Sequence, residues 1–155
     1  MNLYFPELKN ERDENKDTAL TLAAQHSDKD TVQFLIEEIR MNPTETGFQG
    51  RNCFLEAAYG GKIETLKYLN LKYPELKNER DDLGRTALTL AAKFADKDTV
   101  QYLIQEVRMS TTETGYKGRN CFLRAAEGGK IETLKYLNSK NPVSVGSIFI
   151  SSIRN

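Results

Sequence analysis

An all-α solenoid of stacked helix-turn-helix units is the fold this sequence predicts, and three observations predict it. First, the 155-residue chain contains itself twice: residues 3–70 align without a gap on residues 71–138, with 50 positions identical and 18 different. Second, each 68-residue block splits again. Gly84-Arg85-Thr86-Ala87-Leu88-Thr89-Leu90-Ala91-Ala92 aligns, at an offset of 34, with Gly118-Arg119-Asn120-Cys121-Phe122-Leu123-Arg124-Ala125-Ala126. A period near 34 marks an array in which each unit touches its neighbours, not a globule around one core. Third, Val100, Leu103, Ile104 and Val107 fall at i, i+3, i+4 and i+7, the spacing of a helix with one buried stripe.

The first helix of each unit opens at Thr18, Asn52, Thr86 or Asn120, residue types whose side-chain oxygen accepts from an orphan N–H of the first turn. Each such helix carries an Ala pair (Ala23-Ala24, Ala57-Ala58, Ala91-Ala92, Ala125-Ala126), small enough for neighbouring helices to approach closely. The second helices carry apolar stripes: Val32, Leu35, Ile36 and Ile39; Ile63, Leu66 and Leu69; Ile131, Leu134 and Leu137. Gly50, Gly84 and Gly118 precede the first helices, where a turn calls for positive φ, and the first unit has Lys16 at this place. The polar segments 6–16 and 74–84 read as the fingers between units.

Two repeat classes share this period. The tetratricopeptide pattern wants a Trp, and the chain has none. Gly84–Ala92 resembles the ankyrin segment Gly-x-Thr-Pro-Leu-His-Leu-Ala-Ala, and Gly129-Lys130-Ile131-Glu132-Thr133-Leu134-Lys135-Tyr136-Leu137 resembles Gly-His-Leu-Glu-x-Val-x-x-Leu of the same family. The resemblance covers nearly all of residues 13–138. It implies an all-α, ankyrin-repeat solenoid of helix-turn-helix units with hairpin-like finger loops. The family's Pro is replaced by Ala19, Cys53, Ala87 and Cys121, and its His by Thr21, Leu55, Thr89 and Leu123. In the family that His ties neighbouring loops together, so its loss removes an inter-repeat tie.

The expected layout is an ankyrin-repeat domain over residues 1–142, with repeats at about 13–46, 47–80, 81–114 and 115–142 and with 1–12 ending a preceding partial repeat. Residues 143–155 form a tail, a cap or a disordered segment. Residues 143–153 are uncharged and β-prone, so they read equally as a cover for the last repeat, a scar of truncation or an aggregation-prone edge.

Composition narrows the function. Twenty-two basic and 22 acidic side chains give zero formal charge, which argues against nucleic-acid binding and against polybasic membrane attachment. No apolar stretch reaches the length of a membrane span, and no signal peptide is visible. Two cysteines at equivalent positions two repeats apart lie too far from each other for a disulfide. They suggest a reducing compartment, cytoplasmic or nuclear. One histidine and two distant thiols assemble no metal site, so no cofactor, metal or catalytic residue is expected, nor a small-molecule substrate. His26 reads as a surface or packing residue. Gly60-Gly61-Lys62 and Gly128-Gly129-Lys130 lack the upstream Gly and the Ser/Thr of a phosphate loop. Cys53 and Cys121 lie near helix N-termini, where the dipole lowers a thiol pKa, which leaves a cysteine-dependent enzyme as the different-class alternative.

The two halves diverge in places that matter. Ten of the 18 differences fall at finger tips (Glu14/Asp82, Asn15/Leu83, Lys16/Gly84, Asp17/Arg85, Phe48/Tyr116, Gln49/Lys117) and at the ends of first helices (Gln25/Lys93, His26/Phe94, Ser27/Ala95, Tyr59/Glu127). The resemblance implies that these are the positions that touch partners. The expected protein-binding set is Asn15, Asp17, His26, Phe48, Arg51, Tyr59, Leu83, Arg85, Phe94, Tyr116 and Arg119, with aromatic anchors and arginines that receive acidic groups. The competing reading is drift of solvent-exposed positions. The expected function is non-catalytic binding of another protein through the concave face and fingers. The alternative within that class is a recognition fragment of a larger multidomain protein. The chain is expected to be a monomer or to self-associate weakly through its C-terminal tail.

Overall fold

The structure, a computed structural model, describes residues 6–139; the expectations for the tail at 143–155 and for residues 1–5 lie outside them. Among the described residues are eight α-helices and no strand: α1 (Ala19–His26), α2 (Lys29–Glu37), α3 (Cys53–Gly60), α4 (Ile63–Lys72), α5 (Ala87–Phe94), α6 (Lys97–Gln105), α7 (Cys121–Glu127) and α8 (Ile131–Ser139). They form four pairs. The inner helices α1, α3, α5 and α7 stack in sequence, and the outer helices α2 with α4 and α6 with α8 pack behind them.

Local chemistry starts each inner helix. The side chains of Thr18, Asn52, Thr86 and Asn120 accept from the N–H of Thr21, Leu55, Thr89 and Leu123, respectively, at 2.9–3.1 Å. At Thr18 and Thr86 the bond is reciprocated: the Thr21 and Thr89 hydroxyls accept from the cap N–H at 2.9 Å, a closed capping box with Thr in place of the usual Glu. The threonines that replace the family's His therefore lock their own helix starts. Asp28 and Asp96 cap α2 and α6 by accepting from Thr31 and Thr99.

Packing then joins the units. Ala57, Ala58, Ala91, Ala92 and Ala125 are fully buried between inner helices, with Leu20, Leu55, Leu88 and Leu90 beside them. At the helix ends the approach is closer still. A Cβ on Gly60 would lie 2.3 Å from the Gln25 carbonyl, and one on Gly128 would lie 2.5 Å from that of Lys93, so only glycine fits. In the outer layer Val32, Leu66, Leu69, Val100 and Leu103 are buried as the stripes require. Ile131 is the exception at 64% exposed, because the last described unit has no neighbour on that side among the described residues.

The segments 6–16 and 74–84 are fingers only in their second halves. Pro6–Asn10 and Pro74–Asn78 form 3-10 helices, and Leu76 of the latter is buried. The finger turns follow at 13–17, 47–51, 81–85 and 115–119. Each is closed by the same pair of backbone bonds, for example Gly47 N–H to Arg51 carbonyl at 2.8 Å and Gly50 N–H to Gly47 carbonyl at 3.0 Å. Two designs alternate. In the first and third fingers the Asp13 and Asp81 carboxylates accept two backbone N–H groups each at 2.8–3.0 Å, and a single residue, Lys16 or Gly84, takes positive φ. In the second and fourth, Gln49-Gly50 and Lys117-Gly118 are both left-handed, as a type I′ hairpin turn demands.

Leu88→Ala, in the middle of the inner layer, is expected to lower unfolding free energy by about 2–5 kcal/mol. Because units contact their neighbours, the loss of hydrogen-exchange protection should concentrate in α3, α5 and α7. Uniform loss across all four pairs would show a single cooperative core instead.

Candidate functional site

The inner-helix ends and finger turns build one continuous surface. Its centre is an aromatic pair. Tyr59 at the end of α3 and Phe94 at the end of α5 stack with ring centroids 4.4 Å apart and a 32° tilt, both half-buried. The Arg51 guanidinium lies over Tyr59 at 4.6 Å and near Phe48 at 5.5 Å, within cation–π range.

Beneath this pair runs a buried ionic network. Arg51 lies 3.6 Å from Asp81 and 3.7 Å from Glu56. Arg85 donates to Asp81 at 2.7 Å, and the Gln49 side-chain carbonyl accepts from both arginines. Asp17 accepts the Phe48 N–H at 2.9 Å and the Thr21 hydroxyl at 3.1 Å. The fingers are thereby tied to each other, helped by Asp82 N–H to Gln49 carbonyl at 2.8 Å. Arg12 and Arg80 each bridge their own finger to the next, donating to Thr46 and Thr114 carbonyls at 2.7 and 2.8 Å. These bonds replace the tie that the family's His provides.

The structure therefore divides the expected binding residues. Asn15, His26, Phe48 and Leu83 are exposed; Tyr59, Phe94, Tyr116 and Arg119 are half-buried. Asp17, Arg51 and Arg85 are buried at 8%, 4% and 7% exposure with their charges committed inside the molecule. They lie beneath the surface and pair with one another's fingers. The finger bases fold these side chains back over the inner helices, a step that exposed-looking polar sequence conceals.

Sequence reasoning overlooked several groups. Glu127 at the end of α7 is held by Lys93 at 2.9 Å, Arg124 at 2.7 Å and Arg119 at 3.4 Å, and the Lys93 hydrogen bond leads in pulling its carboxyl below the ordinary value. Arg124 is almost wholly buried, lies 6.0 Å from the Phe94 ring, and leaves Nε and Nη2 without a partner. Its equivalent is Glu56, so the inversion Glu56/Arg124 was present in the half-to-half comparison as the one charge reversal inside a helix.

Burial pushes the Glu56 carboxyl up to about 7, against the pull of Arg51. Burial likewise pushes the Cys53 thiol to about 12 and the Cys121 thiol to about 11. This overturns the expectation of depressed thiols: desolvation outweighs the backbone N–H groups of the helix N-terminus. Among the described residues, no group of three or more His, Cys, Asp or Glu is arranged to hold a metal, and no helix is long and apolar enough to cross a membrane. Behind the inner layer, an open cleft of about 780 Å³ lies between α4 and α6, lined by Ile63, Leu71, Gln101, Tyr102 and Glu106 among others.

Capped helix pairs stacked through alanines, with hairpin fingers tied in register, define a stacked helical-repeat protein. A model described as "Ankyrin repeats (3 copies)" matches residues 2–78 and 54–146. The chain belongs to the ankyrin-repeat family. No curated protein matches it.

Glu56 makes stability pH-dependent in a definite direction. Below its ordinary value of 4.5 it is protonated in both states; between 4.5 and about 7 the folded chain keeps a proton that the unfolded chain has lost. Its contribution therefore falls as pH rises through that window. Relative to the native chain, Glu56→Gln should gain up to about 3 kcal/mol between pH 4.5 and 8 in urea melts; a gap that narrows as pH rises would contradict the assignment. For the thiols, iodoacetamide at pH 8 should alkylate the folded chain at least about 100-fold more slowly than the unfolded chain. Rapid reaction of either native thiol would revive a nucleophilic role.

Proposed function

We propose that this chain is a non-catalytic scaffold that binds another protein through its inner-helix ends and finger tips, the concave face of the array. Membership of the ankyrin-repeat family supports a general role in binding proteins. The single observation that carries the particular surface is the half-exposed Tyr59–Phe94 stack on Arg51, flanked by exposed Phe48, Leu83 and His26. Pre-stacked aromatics are rigid and amphipathic, so a partner buries them at little entropic cost. The stacking faces behind them changed little between the halves, while this surface carries most of the differences, which favours an asymmetric partner over drift. The raised thiols argue against cysteine chemistry. Two free, buried cysteines favour a reducing compartment, cytoplasmic or nuclear.

The test is site-specific photocrosslinking in the cells that make the protein, with the crosslinker at position 59, 94, 101 or 135. Positions 59 and 94 should yield the same discrete adduct. Position 101 samples the α4–α6 cleft and position 135 an exposed outer-helix site, and neither should yield it. With the partner in hand, Phe94→Ala or Tyr59→Ala should weaken affinity by about 2 kcal/mol or more, and Lys135→Ala by less than about 0.5 kcal/mol. Adducts only at 101 would move the interface to the outer cleft.

A further inference from the structure

The binding face is electrically polarised along the array, and this follows from the six paired positions of the fingers and inner helices at which charge differs between the halves. In the first half they are Lys16, Asp17, Gln25, Gln49, Glu56 and Tyr59, two negative charges and one positive. In the second half they are Gly84, Arg85, Lys93, Lys117, Arg124 and Glu127, four positive charges and one negative. The chain as a whole is neutral, so the asymmetry does not show in the net charge.

The C-terminal part of the face is also short of counter-charge. Arg85 is satisfied by Asp81 and Gln49. Lys93, Arg119 and Arg124 share one carboxylate, that of Glu127. Arg124 is 98% buried along its side chain, with two nitrogens unpartnered; a buried cation in that condition raises the local potential because water does not screen it. Lys93 and Arg119 keep 27% and 34% of their side chains exposed, and Lys117 is exposed on the adjoining finger. Glu127 demonstrates what this cluster holds: a carboxylate gripped by three cations.

We propose that the C-terminal half of the face, around Lys93, Lys117 and Arg119 over the buried Arg124, docks an acidic segment of the partner, a run of Asp or Glu side chains, next to the Tyr59–Phe94 anchor. This rests on the protein-binding reading above and specifies the partner's chemistry. Carboxylates that replace or join Glu127 complete the coordination of cations that are already oriented, and complementary charge steers the partner into one direction along the array.

The test uses the full chain and fluorescein-labelled hexaglutamate, followed by anisotropy at 25 and 150 mM salt, with hexaglutamine and a labelled hexauridylate as comparison probes. Lys93→Gln with Lys117→Gln installs the residues that Gln25 and Gln49 already supply at equivalent places, so the fold tolerates them. This pair should weaken hexaglutamate binding about tenfold. Lys97→Gln with Lys135→Gln on the outer helices removes the same charge and should change it less than about twofold. Glu127→Gln, which removes the internal competitor, should tighten binding by about threefold or more, a gain that loss of structure does not produce. Equal loss from both lysine pairs, absence of saturable binding to the native chain at 25 mM salt, or tighter binding of hexauridylate would each overturn the proposal. Failure of hexaglutamate alongside intact crosslinking at positions 59 and 94 would sink acidic docking alone. Failure of that crosslinking would sink the protein-binding face itself.

Discussion

Close approach of the inner helices is the constraint on which the rest of the molecule depends. A single helix pair has too little apolar surface to hold itself together, so each unit is stable only against its neighbours. The buried Ala pairs and the glycines at 60 and 128 let α1, α3, α5 and α7 come within a distance at which even one added carbon collides with backbone. Packing at this density fixes the rise from unit to unit, and the rise in turn sets where every finger base lands.

Finger register explains the buried polar network. With the helices this close, Asp17, Gln49 and Arg85 fall within hydrogen-bond reach of an adjoining finger and Asp81 within ion-pair range of Arg51, and side-chain and backbone bonds together replace the histidine tie of the wider family. Arg51 then has its guanidinium fixed between a carboxylate and the face of Tyr59. The aromatic centre of the candidate surface thus rests on a buried ionic network, in which Arg51 Nε and Glu56 Oε1 lack hydrogen-bond partners. Arg124, with two unpartnered nitrogens, lies where the second half exchanged an acid for a base.

Much of this was legible in the sequence because it is local and repeated. Caps at Thr18, Asn52, Thr86 and Asn120, the alanine pairs and the glycine turns are encoded within a few residues of each other, and four copies report on one another. Three things were hidden. Gln49 and Lys117 take left-handed φ without any glycine signal, because a type I′ turn needs two such residues and the sequence offers one Gly. Arg51 and Arg85 look like exposed finger charges until the inner helices are brought together. Burial itself is not a property of the unit: Phe54 and Leu55 are wholly buried, while Phe122 and Leu123, in the same local sequence, are 44% and 50% exposed. Only the neighbour decides, and a repeat sequence read unit by unit does not contain it.

That same contrast gives the most direct measurement of the central claim, that helix spacing set by the alanines holds the array. Ala58 is fully buried under α5, whereas its equivalent Ala126 is exposed. Urea unfolding of Ala58→Leu and Ala126→Leu compares one substitution in two nearly identical local sequences. Overpacking at position 58 should cost about 1–3 kcal/mol, and position 126 should stay within about 0.5 kcal/mol of the native chain. Equal effects at both positions would mean that spacing between inner helices is not what holds the structure together.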